Sequence, residues 1–282
     1  MATKERLDVL LLERGLYPSR EQARSAIMAG LVLVNGEPVI KAGEKVSVVG
    51  EIVVKGPLHP YVSRGGLKLE RALEVFAVDL NSAVVIDVGA STGGFTDCAL
   101  MNGAALVYAV DVGYGQLAWK LRQDPRVVVM ERTNVRYLRR EVLTGPQPSV
   151  AVMDVSFISI RLLLPVLRDI LTDDAVIMTL IKPQFEAGKE SVGKKGVVKE
   201  AAVHEDVLRQ VLASCLRESY RIDGLTFSPI TGGDGNIEFL ALLRKIPIEV
   251  KTGALSNEHL ANISETVREA HLVFAKTKRG SL

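Results

Sequence analysis

Short apolar runs alternate with helical patterns from residue 67 to residue 243, and no other feature of this sequence restricts its fold as much. The runs over 83–88, 105–110, 127–130, 150–155, 175–181, 221–228 and 238–243 are strand-sized, and most are rich in Val, Ile and Leu. Helical patterns cover 67–76, 95–102, 158–171 and 201–219. Strands that are apolar throughout are buried on both faces, which requires helices above and below a mainly parallel sheet. The alternation therefore predicts a doubly wound, Rossmann-like α/β domain.

A different text precedes it. Leu7, Leu10 and Leu11, then Ala23 and Ile27, recur at helical spacing over 6–29, interrupted by Gly15-Leu16-Tyr17-Pro18-Ser19, where Ser19 is placed to cap a second helix. After Gly30, two β-prone runs flank an Asn35-Gly36 turn, and a third covers 45–49. A small α+β domain is expected over 1–55. Residues 56–66 open with Gly56-Pro57-Leu58-His59-Pro60, breakers without periodicity, and are expected to be a linker. The larger domain then covers 67–246, and 247–282 is a polar tail with one helix over 258–275.

Composition excludes more than it assigns. With 35 Lys and Arg against 33 Asp and Glu, the net charge is +2, so any affinity for nucleic acid must come from local clusters of basic residues. Cys98 and Cys215 stand alone without metal-ligand spacing, so neither a metal site nor a disulfide is expected, and a reducing compartment suits them. Residues 1–12 are mixed in charge and show no export signal. Apolar runs such as 175–181 fall well short of the roughly 18–20 residues that span a bilayer as a helix. A soluble cytoplasmic protein with no membrane partner is expected.

The strand over 84–86 runs into Asp87-Val88-Gly89-Ala90-Ser91-Thr92-Gly93-Gly94-Phe95 and then a helix. Gly89, Ser91, Gly93 and Gly94 let backbone approach a ligand at a helix N-terminus. The next strand ends in Asp111, 22 residues beyond Gly89, where a carboxylate can bind both hydroxyls of a ribose. The glycines fall as G-x-x-x-G-G, unlike the G-x-G-x-x-G of nicotinamide cofactors, and Asp87 directly precedes them. A carboxylate there suits an adenosine cofactor with a cationic amino-acid end, as in S-adenosylmethionine. Asp87, Gly89, Ser91, Gly93, Gly94, Phe95 and Asp111 are the candidate cofactor residues. An ordinary Gly-rich turn is the alternative, and the acid at the second strand end counts against it.

Asp154 and Lys182 end two strands, so both project at the carboxyl edge of the sheet, where open α/β folds bind ligands. Glu238 begins the last strand. If that strand is antiparallel, as edge strands often are, its start lies on the same edge. Lys68 follows Ser63-Arg64-Gly65-Gly66-Leu67 at a helix start. Two amines and two acids of this kind suit methyl transfer to a ribose hydroxyl, a weak acid that needs a base as its oxygen attacks. The residues alone leave open which lysine carries the proton, since the pair titrates together.

Lys68, Asp154, Lys182 and Glu238 match in order and context the Lys-Asp-Lys-Glu tetrad of the FtsJ-type ribose 2′-O-methyltransferases, and Asp87 to Phe95 resembles their cofactor loop. The N-terminal text, from Arg6-Leu7-Asp8 through Ser19-Arg20-Glu21-Gln22-Ala23-Arg24 to Val34-Asn35-Gly36, resembles the S4 RNA-binding domain. Together with Tyr61-Val62-Ser63-Arg64-Gly65-Gly66 and Lys182-Pro183-Gln184-Phe185-Glu186-Ala187-Gly188, the chain is similar to the TlyA family, often labelled hemolysin A. The resemblance implies S-adenosylmethionine as cofactor and 2′-O-methylation of cytidines in ribosomal RNA, of the large subunit and in some members also the small. It implies Lys182 as base, Asp154 and Lys68 as the groups that tune and orient it, and Glu238 as the fourth member.

With that resemblance, Arg6, Arg14, Arg20 and Arg24, with Lys41 and Lys45, are read as a phosphate-contacting face, and Arg64 as a further contact. Lys189, Lys194, Lys195 and Lys199 mark a Gly-containing loop after Lys182 as a substrate loop. Phe157 and Phe185 are the nearest candidates for base stacking, with core packing the expected role of both. The partner is ribosomal RNA or a ribosomal subunit. Two other classes fit less well: a membrane-active hemolysin, which needs an export signal, a spanning segment or barrel alternation that the sequence lacks, and a non-enzymatic RNA-binding protein, against which the tetrad speaks.

Overall fold

The computed structural model describes residues 3–17, 19–28, 30–54, 59–193, 196–233, 235–248 and 253–279. Two compact units divide the chain, Met1–Leu58 and His59–Leu282.

The first unit runs β1 (Lys4–Arg6), α1 (Leu7–Glu13), α2 (Arg20–Met28), β2 (Val32–Val34), β3 (Glu37–Pro38), β4 (Lys45–Ser47) and β5 (Ile52–Val54). Its helices bury Leu7, Leu10, Leu11, Ala23 and Ile27 against Val32, Val34 and Val46. Ser19 Oγ accepts from the Gln22 N–H at 3.3 Å, capping α2. Asn35 and Gly36 both have left-handed backbones, φ 52° and 85°, which the tight turn between β2 and β3 requires. β1 pairs with β4, and β5 with β2. Neither β1 nor β5 was expected: at three residues each, they carry no readable periodicity and exist through their partners.

The second unit continues with α3 (Gly65–Phe76), β6 (Val84–Val88), α4 (Gly94–Met101), β7 (Leu106–Val110), α5 (Trp119–Arg122), β8 (Val127–Met130), β9 (Val150–Met153), α6 (Leu164–Ile170), β10 (Val176–Ile181), α7 (Pro183–Glu186), α8 (Ala201–Arg217), β11 (Tyr220–Phe227), β12 (Phe239–Lys245) and α9 (Asn257–Arg279). One sheet in the order β11-β12-β10-β9-β6-β7-β8 forms its centre, with β10, β9, β6, β7 and β8 parallel. Successive strand residues serve opposite faces. Ile86, Tyr108, Met153 and Ile177 pack against α6, α8 and α9, whereas Val85, Val107, Val152 and Met178 pack against α3 and α4. Each such side chain, once buried, contributes about 1.5–3 kcal/mol, which is why the strands read as unbroken apolar runs.

Four expectations are corrected. β12 is antiparallel but interior, hydrogen-bonded to β10 on one side and β11 on the other; its buried Phe239, Leu240, Ala241 and Leu243 suit a strand covered on both faces. Residues 61–66 are no linker. Tyr61 Oη donates to Glu70 at 2.7 Å, Val62 N–H donates to Asp97 Oδ2 at 2.8 Å, and a Cβ on Gly66 would fall 2.3 Å from the Tyr61 ring, so glycine lets this segment pack into the second unit. The expected helix over 158–171 is a 3-10 turn, Ile160–Leu162, followed by α6, because Phe157 adopts φ 63° and the Ile160 N–H goes to Glu186 Oε1 instead of into a helix. Within the supposed polar tail, α9 buries Ile263, Val267 and Ala270 in the core. Of the expected linker, residues 56–58 lie outside the described residues.

Candidate active site

β6 delivers the Gly-rich loop to the carboxyl edge of the sheet. Gly89 and Gly93 have φ 86° and 99°, and a Cβ on Gly89 would fall 2.8 Å from the Asp154 carbonyl oxygen, so the loop lies directly against the end of β9. A Cβ on Gly94 would meet Ser63 Oγ at 2.3 Å, so the starts of α3 and α4 touch there. Asp111 ends β7, and each of its carboxylate oxygens accepts one backbone N–H, from Ser91 at 2.8 Å and Gly113 at 2.7 Å. Each oxygen keeps acceptor capacity in a fixed direction. Glu131 braces the adjoining loop by accepting from Gly115 and Gln116 N–H groups and from Arg122, a role the sequence did not suggest.

Two candidate cofactor residues stand elsewhere than expected. Phe95 is buried in the core beside Leu69 and Cys98. Asp87 is fully buried, accepts the Thr96 hydroxyl at 2.6 Å through one oxygen, and has no hydrogen-bond partner on the other. Burial pushes its carboxyl up to about 7, with the neighbouring Asp154 and Asp111 adding to the rise. Asp87 thus anchors the first turn of α4 beneath the loop. Left-handed glycines and a fixed carboxylate at the β7 end fit an adenosine cofactor, with the buried Asp87 supporting the loop from beneath.

The two lysines and two acids converge. Lys68 on α3 places Nζ 2.7 Å from Glu238 Oε2 and 3.2 Å from Asp154 Oδ2, across 170 and 86 residues of chain. Lys182, the residue before α7, places Nζ 2.6 Å from Asp154 Oδ1 and donates to Ser156 Oγ at 3.0 Å. Lys68, Lys182 and Glu238 are buried, and Asp154 is half-buried. Burial works against a charged Lys68, but Asp154 and Glu238 more than offset it and hold the amine above its ordinary range. Burial likewise opposes a charged Asp154, and the two ammonium groups hold it below the usual carboxylate range. Glu238 needs Gly232 opposite it, where a Cβ would fall 2.4 Å from Oε1.

The basic candidates divide. Arg6 and Arg20 both donate to the buried Asp8, which the Arg6 hydrogen bond above all lowers to about 2, so these guanidinium groups are held at fixed positions at the surface. Arg14 is committed elsewhere: it donates to the carbonyls of Val48 and Gly50 and braces that turn. Arg24, Lys41, Lys45, Arg64 and Lys199 are exposed. Lys194, Lys195 and the side chain of Lys189 lie outside the described residues. Phe157 is not in the core, as was expected, but 90% exposed, with its ring centroid 5.0 Å from that of Phe185. Sequence reasoning gave no role to Ser156 or Glu186; Ser156 lies two residues after Asp154, and Glu186, four after Lys182, falls within the motif Lys182 to Gly188.

The FtsJ-like methyltransferase family matches residues 61–245, and the S4 domain matches 5–53. The chain is similar to YqxC of Bacillus subtilis, with 56% identity over 98% of this chain and 97% of that one. The 16S/23S rRNA (cytidine-2′-O)-methyltransferase TlyA of Mycobacterium tuberculosis is 44% identical over 86% of this chain and 91% of its own. A solved structure from Streptococcus thermophilus bearing the hemolysin name is 50% identical with a TM-score of 0.78, covering 99% of this chain and 100% of that one. No helix among the described residues is long and apolar enough to cross a membrane.

Proposed function

The chain belongs to the FtsJ-like methyltransferase family, and on that premise we propose that it transfers a methyl group from S-adenosylmethionine to the ribose 2′-hydroxyl of a cytidine in ribosomal RNA. The observation that carries this reading is the bridging of Lys68 and Lys182 by Asp154 beside the Gly-rich loop. S-adenosylmethionine, when bound, supplies a methyl carbon activated by its sulfonium.

The residues of the chain supply position and a proton acceptor. Asp111 would hold the ribose of the cofactor, and the loop Gly89–Gly94 would take its amino-acid end against the N-terminus of α4. Lys68 lies between two carboxylates and stays cationic, whereas Lys182 pairs with Asp154 and, once it has given up its own proton, is the amine that accepts the proton of the 2′-hydroxyl. Asp154 aims Lys182, and the fixed charge of Lys68 favours negative charge developing on the attacking oxygen. Single-stranded bases are recognised by stacking on aromatic faces, and the exposed Phe157 ring near Ser156 offers such a face. The S4 domain, with Arg20 and Arg24 exposed on α2, would hold RNA through phosphates.

Mapping 2′-O-methyl marks on ribosomal RNA from cells with and without the gene tests this reading. A cytidine methylated only where the gene is present supports it, and identical maps overturn it.

A further inference from the structure

Glu186 closes α7, one helical turn beyond Lys182, and its side chain is 1% exposed. Its carboxylate takes three donors from a single neighbouring turn: Ser159 Oγ at 2.6 Å, Ile160 N–H at 2.7 Å, and Arg161 Nε at 3.3 Å. That turn follows β9, and Phe157 precedes its cap, Ser159, by two residues. The carboxylate therefore joins the segment after Asp154 to the segment after Lys182, and the Phe157 and Phe185 rings lie together over the same junction.

A buried acid is a poor choice for stability alone, because an apolar group of similar volume usually serves as well or better. Phe157 gives the second reason to look for a function. A bulky residue at φ 63° costs about 1–2 kcal/mol and persists only where its surroundings impose it. Since the ring is almost wholly exposed, its own packing does not repay that cost. The bonds from Ser159, Ile160 and Arg161 to Glu186 tie down the turn that starts two residues after Phe157.

We propose that Glu186 is a positioning residue that holds Phe157 in its left-handed conformation, so that its ring receives the base of the target nucleotide while Lys182 meets the ribose. The proposal rests on RNA being the substrate. It makes the loops after β9 and β10 one unit, and a shift of either would displace both the stacking face and the base.

A double-mutant cycle on RNA methylation tests it, with kcat/KM measured for Phe157→Ala, Glu186→Gln and the pair. Each single variant is expected to lose about 10-fold or more, the scale of one stacked base. The pair should lose no more than Phe157→Ala alone, because Glu186 acts through that ring. Affinity for S-adenosylmethionine, measured by calorimetry, should not change. A pair whose loss is the product of the two singles, or a fully active Glu186→Gln, overturns the proposal. Ser159→Ala removes one bond from the other end of the junction and enters the same cycle if Glu186→Gln does not fold. Asp111→Ala combined with Glu186→Gln should be multiplicative, which separates coupling to Phe157 from general loosening. Wild-type protein that leaves no ribose methyl overturns the underlying function, whereas methylation with a multiplicative Phe157 cycle overturns the junction alone.

Discussion

Lys182 Nζ stands 2.6 Å from Asp154 Oδ1, while the other oxygen of the same carboxylate faces Lys68 Nζ at 3.2 Å. One acid thus separates and aligns two amines. Asp154→Asn removes that charge and leaves two ammonium groups facing each other. Its kcat should fall by about 100-fold or more, the usual worth of a positioned acid–base pair, with cofactor affinity little changed in calorimetry. A kcat within a few-fold of wild type would remove Asp154 from the mechanism.

Phe157→Gly should make the protein more stable and less active at once. Glycine adopts φ 63° without strain, and almost no apolar surface is lost because the ring is exposed. A rise in stability of up to about 1 kcal/mol by urea unfolding, beside a methylation loss of about 10-fold, is expected. Lower stability would mean that the ring packs against the protein after all.

Asp111→Ala should weaken S-adenosylmethionine binding by about 100-fold or more, as the loss of two hydrogen bonds to a charged acceptor implies. The Ser91 and Gly113 N–H groups lose their acceptor too, so the loop loosens with it. RNA affinity in a filter assay should be unchanged, and an equal fall in both affinities would contradict the assignment.

Two buried groups set opposing pH dependences. Asp87 titrates near 7 in the folded protein through burial, above the ordinary carboxylate, so the stability it contributes is present in acid and is lost as pH rises toward and through 7. His204 is depressed to about 4, chiefly by burial and then by His271, whose Nε2 lies 2.9 Å from His204 Nδ1. Its contribution is present above about 6.5 and is lost as pH falls through 4. In urea midpoints taken between pH 5 and 8, Asp87→Asn should therefore steepen the loss of stability on acidification, and His204→Gln should flatten it. Unaltered profiles in both variants would contradict these shifts.

The parts of the fold that the sequence made legible are those whose signal is local. Runs of strand-sized apolar text located the seven strands of the large sheet, most clearly the inner ones that are buried on two faces, and Asn35-Gly36 marked its turn because few other pairs tolerate that backbone. Asp154 and Lys182 could be placed together from strand ends alone. What stayed hidden depends on partners distant in the chain. β1 and β5 are defined by pairing, Tyr61 to Gly66 by packing on α4 and α3, and the broken helix after Phe157 by Glu186, 26 residues beyond Ile160. Asp87 and Phe95 sit in the correct motif but point inward, and no spacing rule distinguishes a residue that supports a loop from one that touches its ligand.

The account stands on Lys182 as proton acceptor for a ribose oxygen. The direct measurement incubates wild-type and Lys182→Ala protein with unmodified ribosomal RNA and labelled S-adenosylmethionine, then digests the RNA to nucleosides and identifies the methylated one by mass. Wild type should yield 2′-O-methylcytidine, while Lys182→Ala should yield none at equal cofactor affinity. Undiminished 2′-O-methylcytidine from Lys182→Ala, or a methyl group on the base in place of the ribose, would contradict it.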